Sequence, residues 1–395
     1  MRSSMTFWGA MAALCILLAG GCKKVLDRET PEWAPEEEEK APAITAEEMA
    51  HLLASLPIAR EQVEEVHDAV SSSAGNGYDE EYLMRRLVGE PGTGVGDLPA
   101  KGTSRSYGRP LRDLIKEAVT ATRAGGSPAE AFLDSLSSTD LQIYWPYSEA
   151  WDGQELPVIT FDPGDLAVTN EGYALHPDGH VEKVLVDEAM AAERPVWVVN
   201  RNSDADFKSL ELRRREDPSW GSGGEILVRP KSTGGEEKDV LTLVLRSFTA
   251  HRQYDSWFAG ASEFFIKVGG IEDLTAATEA ELRLYQPTIT DFMIVVRRNQ
   301  LDQELSFNAV LISEWTEQLK NIAFMCVEDD GGTQTSWKCS AVVQYNSKKY
   351  GVELEIPLNN RDDIVWRGAL SRSYIWDNRG QEGRFGDVSL VLDLI

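Results

Sequence analysis

The chain has 395 residues, a length for two or three domains, and 42% of them are hydrophobic, enough to bury sizeable cores. That composition excludes collagen-like, disordered and polytopic membrane classes for most of the chain. With 39 Lys plus Arg against 65 Asp plus Glu the formal net charge is -26, so nucleic acid and anionic membrane faces repel the protein as a whole and nucleic-acid binding is disfavoured.

At the amino terminus Arg2 supplies a positive charge, and Met5 to Ala19 is an apolar run of signal-peptide length, marginal for a bilayer span. The run stops at Ala19-Gly20-Gly21-Cys22. This order of apolar stretch, small residues and cysteine resembles bacterial lipoprotein precursors, with Ala19 where their lipobox more often has Leu. The resemblance implies that residues 1–21 are a cleaved signal peptide and that Cys22 is lipidated on its thiol and acylated on its new amino group. Small side chains let a peptidase and a transferase approach closely, and a thiolate is the nucleophile that takes a lipid. Each buried methylene contributes about 0.8 kcal/mol, so two or three acyl chains hold a protein to the lipid bilayer where one would be reversible. An uncleaved span would put Lys23 and Lys24 outside and only Arg2 inside, against the positive-inside tendency. A cleaved secretory signal with an incidental cysteine is the plainer alternative. Within the resemblance, Lys23 after the cysteine favours the outer membrane, with the body facing the periplasm or the exterior.

Residues 22–44 then read as the lipidated cysteine and an acidic tether. Three prolines and the run Glu36 to Glu39 cannot bury enough surface to fold, and a random coil of that length spans about 25 Å.

The folded part is expected to be α+β: a small helical segment over 45–136, a β-rich middle domain over 137–246 and a C-terminal antiparallel β-sandwich over 247–395. Thr45 to Glu48 is a capping box, followed by Met49, Leu52, Leu53 and Leu56 on one helical face. Ala59, Val63, Val66 and Val70 make a second stripe, and a third helix is expected from Asp79 to Val88. Gly89 to Gly108 reads as a long loop; its glycines lack the spacing of a phosphate cradle. Leu111 to Thr122 makes a fourth helix, and Ser127-Pro128 opens a fifth.

From residue 139 the period changes to alternation. Strand-like runs are Leu141 to Trp145, Pro157 to Phe161, Lys183 to Val186, Pro195 to Val199 and Glu225 to Val228, with a short helix over Asp187 to Ala192. A further run spans Asp239 to Phe248. Eight denser runs follow: Glu263 to Val268, Asp291 to Arg297, Leu305 to Ile312, Leu319 to Glu328, Ser336 to Tyr345, Lys349 to Ile356, Ile364 to Ser371 and Val388 to Leu394. Their pattern resembles C2-like and other calcium- or ligand-binding sandwiches of surface lipoproteins, a likeness of pattern that assigns no residues.

Beyond Cys15 and Cys22 the cysteines are Cys326 and Cys339, on consecutive predicted strands. A connection over Gly331 to Gln334 would set them opposite each other, and an exported domain meets an oxidising compartment, so a disulfide competes with two free thiols. A one-residue slip would put the thiols on opposite faces. For a metal, Asn200, Asn202, Asp204 and Asp206 with Glu211 offer oxygens at EF-hand-like spacing that suit Ca2+, although Ala205 stands where the sharp turn needs glycine; an ordinary polar loop is the alternative. Asp329 and Asp330 at a hairpin tip are a second Ca2+ candidate, as are His176 and His180 for a transition metal; Pro177-Asp178-Gly179 between the histidines reads as a turn. No catalytic signature is present: no HExxH, GxSxG, CxxC or nucleotide fingerprint. Aromatic residues beside polar turns, Trp145 with Trp151 and Tyr374 with Trp376, could stack on a sugar or a partner's side chain, or plug the sandwich ends.

The sequence therefore points to a membrane-anchored envelope lipoprotein without enzymatic activity, one that displays a binding surface to a protein or glycan partner. A surface glycan- or calcium-binding module and a hydrolase using paired carboxylates are the alternatives.

Overall fold

A computed structural model describes residues 44–89, 107–122, 128–164, 167–202, 207–216 and 240–395. The leader, Cys22, the tether, the glycine-rich loop over 90–106, Asp204, Asp206 and the expected strand Glu225 to Val228 lie outside the described residues. Ala43–Ile395 forms one compact unit.

The architecture is α+β. Helices α1 (Ala46–Ala54) and α2 (Arg60–Gly75) come first. The Thr45 hydroxyl accepts from Glu48 N at 3.1 Å while the Glu48 carboxylate accepts from Thr45 N at 2.9 Å, the reciprocal cap the sequence announces. The expected third helix is corrected. Its first part, β1 (Glu81–Leu83), is a strand, and only α3 (Met84–Val88) is helical. Tertiary pairing overrides propensity there, because Glu81, Tyr82 and Leu83 pair with the edge of a sheet. Helices α4 (Leu111–Thr122) and α5 (Pro128–Ser137) complete the helical layer.

These helices do not stand alone as a domain. They cover a six-stranded sheet made of β1, β2 (Leu141–Tyr144), β3 (Val158–Phe161), β4 (Thr169–Leu175), β5 (Val181–Asp187) and, after α6 (Glu188–Glu193), β6 (Val196–Arg201). The strand order is β1-β2-β6-β3-β4-β5; the β3–β6 pairing is parallel and the others antiparallel. Ile143, Ile159, Trp197 and Val199 point into a core shared with Met49, Leu53, Val66, Leu114 and Leu133. Tyr144, Val158, Val196 and Val198 point the other way, onto Trp257 and Phe258. Burial on both faces explains why Val196 to Val199 reads as an unbroken apolar run.

Helix α7 (Leu210–Glu216) precedes the second half. There β7 (Leu241–Ala250), β8 (Ser262–Gly270), α8 (Glu279–Leu282), β9 (Thr288–Val296), β10 (Leu305–Trp315), β11 (Leu319–Glu328), β12 (Gln334–Tyr345), β13 (Lys348–Asn359), β14 (Asp363–Ser371), α9 (Arg372–Asp377), β15 (Glu382–Phe385) and β16 (Val388–Leu394) follow in order. They form a four-stranded sheet, β10-β7-β16-β15, and a six-stranded one, β13-β12-β11-β8-β9, with β14 also paired to β11. One hydrophobic cluster, with Leu245 and Phe248 from the first sheet and Phe264, Phe292 and Phe324 from the second, joins the two. Strand β7 runs continuously through residue 246, so the sandwich begins earlier than the sequence boundary at 246/247 suggests.

Candidate functional site

Cys326 and Cys339 are free thiols. The expected disulfide fails because β12 pairs with β11 only near Leu319 and Asn321. Beyond that point β14 takes the place beside β11, so Cys326 lies between Trp366 and Ile266 while Cys339 faces Leu354 of β13.

The EF-hand-like set is likewise not brought together by its described members. Asn200 Nδ2 donates to the Phe258 carbonyl at 2.9 Å, and Asn202 Nδ2 donates to Glu81 at 2.6 Å and Gln142 at 2.9 Å. Ser209 Oγ accepts from Leu212 N at 3.1 Å and starts α7, which lays Glu211 against Gly77. The loop reading had no way to register that helix start. His176 and His180 do meet, their rings stacked at 4.4 Å across the β4–β5 turn with Glu182 beside them; His180 and Glu182 are exposed and His176 is half-buried.

Of the aromatic pairs, Trp145 is 1% exposed and packs against Trp197 and His67, so it belongs to the core rather than to a platform. Trp151 is half-buried beside it, its ring 5.5 Å away. Tyr374 and Trp376 are 49% and 43% exposed on α9, but at positions two apart on a helix they face different sides. Trp376 lines a groove of about 540 Å³ together with Lys320, Asn321, Gln344, Lys349 and Arg372. Three cations and one carboxylate, Asp377, line this groove in a chain of net charge -26. Tyr374 borders a separate, smaller hollow.

A second site had no local trace in the sequence. Asp255 lies on the connection from β7 to β8, Glu263 on β8 and Glu328 at the end of β11, and one oxygen from each lies within 4.8 Å of the others. Strand pairing brings them together: Glu328 is opposite Phe264, next to Glu263, and the Glu263 carbonyl accepts Asp329 N at 3.1 Å. Glu328 is 0% exposed, and both its carboxylate oxygens and Asp255 Oδ2 lack a hydrogen-bond donor. Arg298, half-buried and close enough for its charge to act on Asp255, donates to the carbonyls of Asp255 and Gly260. Burial, then the neighbouring carboxylate, holds Glu328 well above the usual carboxylate range, and burial also raises Asp255. Nearby, burial and then the Asp255 charge push Asp330 up to about 6. Two buried carboxylates at such range cannot both stay ionised alone; they must share a proton or a cation.

No known protein family matches the chain, nor does any curated protein or solved structure.

Proposed function

We propose that the protein is a lipid-anchored envelope lipoprotein whose folded body is a non-enzymatic binding module. The observation that carries this reading is the order of features in the first 44 residues: a positive start, an apolar run, Ala19-Gly20-Gly21-Cys22 and an acidic, proline-containing stretch ahead of the compact body. Among the described residues no helix is long and apolar enough to cross a membrane; in this reading acyl chains on Cys22 provide the anchorage. The test is a Cys22→Ser variant in the native host. Loss of processing and of membrane fractionation, with a diacylglyceryl mass on the amino-terminal peptide of the wild type, is the expected result. Unchanged maturation and fractionation would defeat the reading.

The groove beside Trp376 favours a glycan as the ligand class. The amides of Asn321 and Gln344 suit sugar hydroxyls, while Lys320, Lys349 and Arg372, against the single carboxylate of Asp377, suit carboxylate substituents; Trp376 lines the groove with Arg379 over its ring. Affinity electrophoresis in polygalacturonate against neutral dextran tests it: retardation only in the anionic gel, lost in Lys320→Glu/Lys349→Glu, supports this ligand. The hydrolase alternative is weakened by Glu328, whose complete burial keeps it from a glycosidic bond.

A further inference from the structure

We propose that Asp255, Glu263 and Glu328 bind a divalent hard cation, Ca2+, at the end of the six-stranded sheet of the sandwich. The proposal is independent of whether Cys22 carries lipid.

The donor set is oxygen alone, and it comes from three separate places in the chain that converge within 4.8 Å, close enough for one ion to touch all three. Carboxylate-only sets select Mg2+, Ca2+ or Mn2+ over zinc or copper, which favour imidazole and thiolate. Independently of the clustering, Glu328 is completely buried, one of its carboxylate oxygens lies in the group, and neither oxygen accepts from a neutral or cationic donor. Asp255 and Glu328 must share a proton or a cation, and a divalent ion that displaces the proton would relieve the repulsion between the carboxylates that converge here. Protein cations supply the counter-charge only in part: the Arg298 charge reaches Asp255, but its guanidinium donates to the carbonyls of Asp255 and Gly260 and lies 3.8 Å from Glu188, and Lys267 lies over the Phe265 ring. Asp330 and Asp363 deepen the negative potential at the same strand ends.

The geometry favours Ca2+ over Mg2+. An ion touching Glu328 must shed water on its buried side, and Mg2+ dehydrates reluctantly whereas Ca2+ accepts mono- and bidentate carboxylates in irregular shells. Glu263 is half-buried and is the more accessible member of the group, whereas Asp255 Oδ2 and Glu328 are enclosed.

The test uses the full chain, purified in detergent and stripped with EDTA, titrated calorimetrically with CaCl2 and separately with MgCl2. Expected are a saturable Ca2+ isotherm, a rise in Tm on adding Ca2+, and Mg2+ binding at least about tenfold weaker. Glu328→Gln and Glu263→Gln should each weaken Ca2+ by at least about tenfold while circular dichroism stays unchanged. Because Glu263 is half-buried, its variant keeps the test open should Glu328→Gln fail to fold. The site is refuted by no heat and no Tm shift at about 5 mM Ca2+, or by folded variants that bind as the wild type does. Equal affinity for Mg2+ would overturn the assignment of calcium.

Discussion

Asp79, just ahead of the first sheet's edge strand, accepts the backbone N–H of Ala261 through Oδ2 at 2.9 Å, a bond that spans 182 positions of chain and ties the helical half to the entry of β8. Its Oδ1 accepts Glu80 N at 2.7 Å. Asn200, donating to Phe258, makes a second tie between the same halves. Asp79→Ala would leave a buried N–H unpaired and should cost about 2 kcal/mol, read as a lower midpoint in urea. An unchanged midpoint would show that water replaces the carboxylate freely.

Buried carboxyls elsewhere set a pH trend. Burial pushes Glu65 up to about 7, helped by the Glu61 and Asp113 charges and opposed by the N–H of Leu111, and burial pushes Glu81 up to about 8. Such groups hold protons in the folded state that the unfolded chain has released. The stability they contribute is complete below about pH 4.5 and is lost as pH rises through about 7 to 8. Urea midpoints should therefore fall between pH 5 and pH 8 by this contribution. Glu65→Gln, which keeps an acceptor for Leu111 N, should flatten the fall and raise stability at pH 8 by about 1–2 kcal/mol. A variant with the wild-type slope would exclude Glu65 as a cause.

Thiol chemistry checks the register of β11. Cys326 is buried and burial drives its thiol far up, while Cys339 is half-buried and pushed up to about 11. Neither should react with iodoacetamide at neutral pH within minutes, and both should react once unfolded, without prior reduction. A loss of two hydrogens in the mass of that peptide pair would instead reveal a bond and a different strand pairing.

Gly386 makes the turn between β15 and β16 at φ +62°, and an added Cβ would sit 2.3 Å from the Val365 carbonyl oxygen on β14. Gly386→Ala should cost about 2–3 kcal/mol through both the strained backbone and the clash. A Tm within a degree or so of wild type would contradict the close approach of β14 to that turn.

What the sequence made legible follows from the range of the interactions involved. Leu319 to Glu328 and Val388 to Leu394 are readable to the residue because each is dense in apolar, strand-forming residues and is bounded by polar or turn residues. Thr169 to Leu175 was missed, since its first half is exposed and polar and only Tyr173 to Leu175 carries the apolar signal. Asp79 to Val88 looked helical because its pairing partner, β2, lies far along the chain. Trp145 looked available for a ligand because nothing local shows that Trp197 and His67 pack around it. The carboxylate group of Asp255, Glu263 and Glu328 was invisible for the same reason: strand pairing, not spacing, creates it.

The last strand, β16, sits inside the four-stranded sheet, with β7 on one side and β15 on the other. Without β16 that sheet has no middle, and β7 and β15 have no neighbour between them. Its closure therefore waits on a pairing between strands about 140 positions apart, Leu243 with Leu394 and Ala250 with Val388, so loop-closure entropy rather than local hairpin formation sets the pace at which this half is sealed.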